Sequence, residues 1–218
     1  MDPFAPTTED YGLLDMPLGA AADAVAGLIA SWCPEVTRSE LRGSPEELFQ
    51  LLEPLSMALD RTLLVSSGAW TSYFANGLFG SDVFMPVSRI AASYECTGLR
   101  VARSADATIF EAYESTERGG DVTNYRRAIY AARDGKWTFG STGDPYPFED
   151  VTRYEAKSIR DRFTPAHLDS LLSGLGAPLD PFPQGEDLDA ILFVQPDKAP
   201  HLQRWSREDV QSGRPWQR

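Results

Sequence analysis

The sequence predicts an α+β protein in which an antiparallel β-meander of about five to six strands is flanked by N-terminal and C-terminal helices. Three observations predict this class. Two helical patterns occur within the first 60 residues, segments rich in β-branched and aromatic residues fill the middle of the chain, and helix-capping signals return after residue 150. A chain of 218 residues is long enough to bury a substantial core in one domain.

Composition divides the chain into three regions. Residues 1–17 contain Pro3, Pro6 and Pro17 and show little periodicity, so we expect an irregular acidic arm. Residues 18–197 are expected to form a single α+β domain, and residues 198–218 a polar, basic tail.

Two helices are predicted ahead of the sheet. The first covers about residues 19–32. The second begins with Ser44 as N-cap, Pro45 at the first helical position and Glu47 completing a capping box. Pro54 is expected to kink or end it.

The strands of the meander are predicted from short apolar and aromatic segments. "TLLVSS" is typical of a buried strand, and the uncharged run 66–81 predicts a strand with aromatic residues on both faces, then a glycine turn into a helix near 86–95. "LRVAR", "ATIFEAYES", "NYRRAIYAAR" and "KWTFGS" predict four more strands. Asp134-Gly135 predicts a type I′ hairpin between the last two.

The remaining elements follow from turn and capping residues. The loop 116–121 is expected to be mobile, and Asp150 is expected to cap a helix over "VTRYEAKSIRDRF". Thr164-Pro165 predicts the start of another helix. "LDAILFVQ", at 188–195, predicts an edge strand.

The net charge of −12 is unevenly distributed. Residues 1–60 carry 11 acidic and 2 basic side chains, and residues 164–197 carry 6 acidic and no basic ones. Such a field repels nucleic-acid phosphates and attracts basic protein surfaces, although acidity can also serve solubility alone. The sequence therefore predicts no nucleic-acid partner. It also predicts no membrane association, because it contains no uninterrupted apolar run of roughly 18 residues.

Cysteine and histidine usage limits the chemistry further. Cys33 and Cys96 are too few for a disulfide framework, which favours a reducing, cytoplasmic location, with a single bridge as the alternative. His167 and His201 adjoin no nucleophile motif, and together with the cysteines they lack the spacing of a zinc site. We therefore predict no metal and no cofactor.

Six residues are the candidate ligand-binding set. Trp70, Tyr73 and Phe74 would form the walls of an aromatic pocket, and its polar contacts would be Asn76, Glu111 and Arg127. The alternative is structural: the aromatic run would be core, and Glu111 and Arg127 would form a buried salt bridge.

Four segments carry a resemblance to other proteins. "AWTSYFANG", "NYRRAI", "DGKWTFGSTGDPYPFED" and "IRDRFTP" are similar to a set of uncharacterised bacterial proteins over about residues 65–176. The resemblance implies a bacterial, cytoplasmic protein, and it transfers no activity and no catalytic residue.

Two functional hypotheses remain. The first is a protein-binding module, most concretely a cytoplasmic immunity or inhibitor protein that masks a basic partner such as a bacterial toxin. The alternative is a small-molecule-binding protein or enzyme with an aromatic pocket around Trp70, Glu111 and Arg127. An enclosed cavity lined by these three side chains favours the alternative, whereas a filled core beneath an acidic face favours the first.

Overall fold

A computed structural model describes residues 2–114, 125–183, 187–197 and 199–216. The strands are β1 Asp10–Leu14, β2 Thr37–Gly43, β3 Leu55–Ser56, β4 Arg61–Ser67, β5 Trp70–Ala75, β6 Gly98–Arg103, β7 Ala107–Tyr113, β8 Tyr125–Asp134, β9 Lys136–Thr142, β10 Leu188–Val194 and β11 Arg204–Trp205. The α-helices are α1 Leu18–Ala30, α2 Pro45–Gln50, α3 Phe84–Tyr94, α4 Pro165–Gly174 and α5 Arg207–Gln211. Three 3-10 turns cover Val151–Glu155, Ile159–Arg162 and Arg214–Trp216.

Nine of the described strands form one antiparallel sheet. Their order is β2-β10-β4-β5-β1-β6-β7-β8-β9, and β3 pairs separately with β11. The predicted α+β class and antiparallel pairing are confirmed, but the predicted count of five to six strands is too low.

The expectation of an irregular arm over residues 1–17 is wrong for residues 10–14. These residues form β1, which lies in the middle of the sheet between β5 and β6. Tyr11, Leu13 and Leu14 are buried there, yet a five-residue strand is too short to show a clear alternation beside so many prolines.

Two further strand errors lie at one edge of the sheet. β10 was expected at an edge, but it lies between β2 and β4. The edge strand is β2, "TRSELRG", in which only Gly43 is buried and Leu41 is half-buried. Because an edge strand can be solvated on both faces, β2 lacks the apolar pattern by which strands are recognised.

Two apolar layers cover opposite faces of the sheet. The α2/α4 face packs against α2 and α4, and it carries Leu13, Leu63, Phe74, Val101, Phe110 and Ile129. The α1/α3 face packs against α1 and α3, and it carries Leu14, Leu64, Tyr73, Ile191 and Phe193. Neighbouring residues of one strand therefore belong to different layers, as the pleat requires.

Most of the predicted helix caps and turns are present in the structure, and some differ in type or length. The Ser44–Glu47 capping box is present, and α2 ends at Gln50, ahead of Pro54. The Asp134-Gly135 hairpin is present, but only Gly135 has a positive φ, so the turn is not type I′. Asp150 caps a 3-10 turn rather than the longer helix that was expected. The predicted mobile loop at 116–121 lies outside the described residues.

The contact between β1 and α3 gives a testable prediction. A Cβ at Gly12 would lie 2.5 Å from Val87 Cγ2, so Gly12→Ala is expected to destabilise the fold by about 1–3 kcal/mol through overpacking. Urea denaturation of the purified variant measures this loss. Gly19→Ala is the control because nothing lies within 4 Å of a Cβ there. Equal stability of the two variants would contradict the packing described.

Candidate functional site

The structure does not bring the six predicted ligand-binding residues together. Trp70, Phe74 and Arg127 belong to the α2/α4 face of the sheet, whereas Tyr73 and Glu111 belong to the α1/α3 face. Asn76 follows the end of β5. Residues on opposite faces of one sheet cannot line one pocket, so a single pocket built from these residues is wrong.

Trp70 and Phe74 are covered by protein. The Trp70 indole Nε1 donates a hydrogen bond to the carbonyl of Gly176 at 3.0 Å. The Phe74 ring is fully buried, with its centroid 4.8 Å from that of Phe49 and 6.5 Å from that of Phe182. These two aromatic side chains are therefore core residues.

The Asn76 side chain is also fully buried, and its polar atoms have partners within the protein. Its Nδ2 donates to the Pro54 carbonyl at 2.9 Å and to Asp60 Oδ1 at 2.8 Å. Its Oδ1 accepts from the backbone N–H of Arg61 at 3.0 Å. Asn76 thus fixes the segment before β4 against the end of β5.

Asn76→Ala is expected to cost about 1–3 kcal/mol of stability, because it leaves buried donors and acceptors without partners. Chemical denaturation followed by tryptophan fluorescence measures the change. The exposed amide of Gln50 provides the control, and Gln50→Ala is expected to stay within about 0.5 kcal/mol of wild type. A neutral Asn76→Ala would mean that this hydrogen-bonding network is not structural.

Arg127 pairs with Glu149 rather than with Glu111. Both side chains are only 2% exposed, and the guanidinium contacts both carboxylate oxygens, with Nε to Oε2 at 3.0 Å. Arg127 Nη1 also donates to the carbonyls of Thr142 and Gly143. Burial alone would raise the pKa of Glu149, but hydrogen bonds from Arg127, from the Tyr154 hydroxyl and from the Tyr146 backbone outweigh it, and the pKa is lowered.

Glu111 belongs to a separate polar row on the α1/α3 face. Arg100 lies between Glu111, at 3.3 Å, and Asp10, which it contacts through two hydrogen bonds of 3.0 and 2.7 Å. The Tyr113 hydroxyl donates to Glu111 Oε2 at 2.6 Å. Burial and the Glu111 carboxylate together raise the pKa of Tyr113. Glu111 and Arg127 therefore do not form the salt bridge with each other that the sequence left open; Glu111 pairs with Arg100, and Arg127 pairs with Glu149.

Tyr73 lines a mainly apolar opening, which we call the α1–α3 cleft. Its volume is about 220 Å³, and it opens between α1, α3 and the sheet. Val25, Leu28, Ile29, Leu59, Tyr73, Ala75, Met85 and Pro86 form its apolar lining. An apolar concave site of this kind is where small ligands bind.

Polar groups lie inside the cleft and around its opening. The Tyr73 hydroxyl lies 3.3 Å from Thr62 Oγ1. Burial raises the pKa of Tyr73 to about 12, with the hydrogen bond to Thr62 opposing and the nearby Asp82 carboxylate adding to the shift. Asp82 and Arg89 are exposed and line the opening, and neither side chain has a hydrogen bond or ion pair with another described residue.

Sequence reasoning identified Tyr73 but not the rest of this cleft. Its lining comes from α1, β4, β5, α3 and Gln195, which are far apart along the chain. A site assembled in this way leaves no linear spacing to recognise. The sequence contains only a weak indication of the cleft. Asp82 and Arg89 lie on either side of the start of a predicted helix, and the apolar residues of that helix lie on a different face from Arg89.

The second candidate region is the acidic edge, formed by β2, the neighbouring β10 and the adjoining parts of α1 and α2. Six exposed carboxylates lie there: Asp23, Glu40, Glu46, Glu47, Asp187 and Asp189. The same region contains two guanidinium groups, Arg38, 2.7 Å from Asp23, and Arg42, 4.0 Å from Asp189. The two acidic segments recognised in the sequence therefore meet in the structure, because β10 pairs with β2 along its whole length.

Neither region contains a group arranged for metal binding. Across the described ranges, no cluster of three or more His, Cys, Asp or Glu side chains is placed to hold a metal ion. Within the same part of the chain, no helix combines the length and the apolar character needed to cross a bilayer.

The described residues form an α+β protein with a nine-stranded antiparallel sheet, in which the α1–α3 cleft and the acidic edge are the two candidate regions. Comparison of the chain with protein-family models, with curated proteins and with solved structures found no match.

Proposed function

We propose that this chain is a protein-binding module that masks a basic partner, in the manner of a cytoplasmic immunity or inhibitor protein. The observation that carries the proposal is the acidic edge. Segments 1–60 and 164–197 contain 17 of the 32 acidic side chains and only 2 of the 20 basic ones, and they contribute the neighbouring strands β2 and β10. Carboxylates that are about 150 residues apart in the sequence therefore lie along the same edge of the sheet.

The edge strand suits contact with another protein. Residues 37–40 of β2 are exposed, and the outer edge of the strand has no neighbour in the described sheet. Charges around such an edge prevent pairing with a like-charged copy and favour a surface of opposite sign. Their main contributions are the rate and the specificity of association, and both weaken as salt rises.

Two other observations support the proposal. Trp70, Phe74, Asn76 and Arg127, the residues expected to shape a substrate pocket, have their contacts within the protein. Cys33 and Cys96 are free thiols, which suits a reducing compartment.

Affinity capture with matched charge variants tests the proposal. The edge variant combines Glu40→Gln, Glu46→Gln, Asp187→Asn and Asp189→Asn. The control variant combines Asp134→Asn, Asp144→Asn, Glu155→Gln and Asp161→Asn, which removes four exposed carboxylates elsewhere. Both variants change the net charge by the same amount.

Wild type and the control variant are expected to capture the same basic protein from native cells at low salt, and the edge variant is expected to bind it at least about tenfold more weakly. Direct titration of the purified pair at two salt concentrations gives the ratio. The proposal fails if no partner is recovered at low or moderate salt, or if the edge variant binds as tightly as the control.

A second candidate function is small-molecule binding. The specific observation in its favour is the α1–α3 cleft, with an apolar lining and the Tyr73–Thr62 pair inside. At its opening lie Asp82 and Arg89, which form no ion pair with another residue in the described part of the chain. Under this second proposal the ligand would lie on the α1/α3 face, rather than in the pocket around Trp70, Glu111 and Arg127 that the sequence suggested. A thermal-shift screen with small apolar acids, amines and amino acids tests it.

A further inference from the structure

The volume of the α1–α3 cleft limits its occupant to a small molecule. The cleft measures about 220 Å³. Drug-sized ligands occupy roughly 300–1,000 Å³, whereas an apolar cavity of about 150 Å³ already holds benzene. The ligand therefore has the size of one aromatic ring or one branched alkyl group with a short polar extension.

The lining of the cleft determines the chemistry of the buried part. Val25, Ile29 and Ala75 offer no hydrogen bonds, so a polar group placed against them would lose its water without compensation. The Tyr73 and Thr62 hydroxyls lie 3.3 Å apart, so each already has a hydrogen-bond partner within the protein. The part of the ligand that enters the cleft is therefore apolar.

The two charges at the opening determine the chemistry of the exposed part. Asp82 lies two residues before the start of α3 and Arg89 lies within the helix, and both line the cleft. Their side chains are not ion-paired with each other or with any other described residue, so both can contact a ligand. A ligand with one positive and one negative group matches both.

We propose that the α1–α3 cleft binds a free amino acid with an apolar side chain, which enters the cleft while the α-ammonium contacts Asp82 and the α-carboxylate contacts Arg89. This inference rests on the small-molecule-binding function proposed above. Arginine is well suited to the carboxylate because its planar guanidinium can donate two parallel hydrogen bonds.

Calorimetric titration with five compounds separates the contributions of the ammonium group, the carboxylate and the apolar body to binding. L-phenylalanine and L-leucine carry both charges and an apolar body. 3-Phenylpropionate lacks the ammonium, 2-phenylethylamine lacks the carboxylate, and glycine lacks the apolar body. We expect L-phenylalanine or L-leucine to bind at least tenfold more tightly than each of the other three compounds.

Two charge-neutralising variants test the assigned contacts. Asp82→Asn and Arg89→Gln are each expected to weaken binding of the amino acid at least tenfold. Asparagine is tolerated at the positive φ of residue 82, and both positions are exposed, so the fold is preserved. Glu95→Gln, at the other end of α3, and Arg42→Gln, on the edge strand, are the matched controls, and they are expected to bind like wild type.

Three results would overturn the inference. If 3-phenylpropionate or 2-phenylethylamine binds while both amino acids fail, the cleft is a small-molecule site but not one for amino acids. If an amino acid binds equally to wild type, Asp82→Asn and Arg89→Gln, the assigned contacts are wrong. If no compound in the panel binds or raises the melting temperature, both the inference and the small-molecule function fail.

Discussion

Arg127→Ala is expected to destabilise the protein by about 3–5 kcal/mol, because it leaves the buried Glu149 carboxylate without its counter-charge. The carbonyls of Thr142 and Gly143 lose their donor at the same time. For a chain of this length, such a loss lowers the melting temperature by about 6–20 °C. Differential scanning calorimetry and urea denaturation at neutral pH measure both quantities.

Arg133→Ala is the matched control, because Arg133 lies on the same strand and pairs with Asp106 while both side chains are about half exposed. Its loss is expected to be about 1 kcal/mol or less. A double variant, Arg127→Met with Glu149→Leu, is expected to recover much of the stability, since apolar replacement of a buried pair is often tolerated. Equal losses for Arg127→Ala and Arg133→Ala would refute a structural role for the buried pair.

The second large loss of stability is expected when Phe74 is replaced. Phe74→Ala removes a fully buried ring that contacts Tyr11, Phe49 and Phe182, and it is expected to cost about 3–5 kcal/mol. The loss combines the transfer free energy of the ring with the cavity that it leaves. Equilibrium denaturation with an unchanged m-value would show that the native state alone is affected.

Phe79→Ala provides a control from the same uncharged run, because Phe79 is 67% exposed and its ring stacks on that of Trp216 with centroids 4.8 Å apart. Loss of this exposed ring stacking is expected to lower the free energy of unfolding by about 1 kcal/mol or less. If both variants were equally stable, the run 66–81 would not divide into core and surface as described. If Phe74→Ala folded normally and lost only ligand binding, the pocket predicted from the sequence would regain its support.

The parts of the fold that could be predicted from sequence are those determined by local chemistry. Ser44 and Glu47 cap α2 within four residues of each other, and Gly135 provides the positive φ of its hairpin. These signals need no knowledge of distant residues. For the same reason, short apolar and aromatic segments bounded by turn residues correctly placed β4 to β9.

The parts that could not be predicted depend on long-range pairing. β1 becomes recognisable as a strand only when β5 and β6 lie on either side of it, and β2 has no buried face to produce a pattern. The same limit applies to the sites. Whether Arg127 pairs with Glu111 or with Glu149 depends on the register between strands and on the sheet face that each residue occupies. Patterns within a single strand do not reveal the register.

The position of β1 also determines how the sheet responds to N-terminal truncation. β5 and β6 do not pair with each other, so residues 10–14 alone join the four-stranded half β2-β10-β4-β5 to the four-stranded half β6-β7-β8-β9. A chain shortened at its N-terminus past Leu14 would contain two separate half-sheets, each with a newly exposed hydrogen-bonding edge. Such an edge invites pairing with other chains, so an aggregation-prone product is the expected outcome of that truncation. By the same geometry, a synthetic peptide that spans residues 2–17 is suited to fill the gap and restore one continuous sheet.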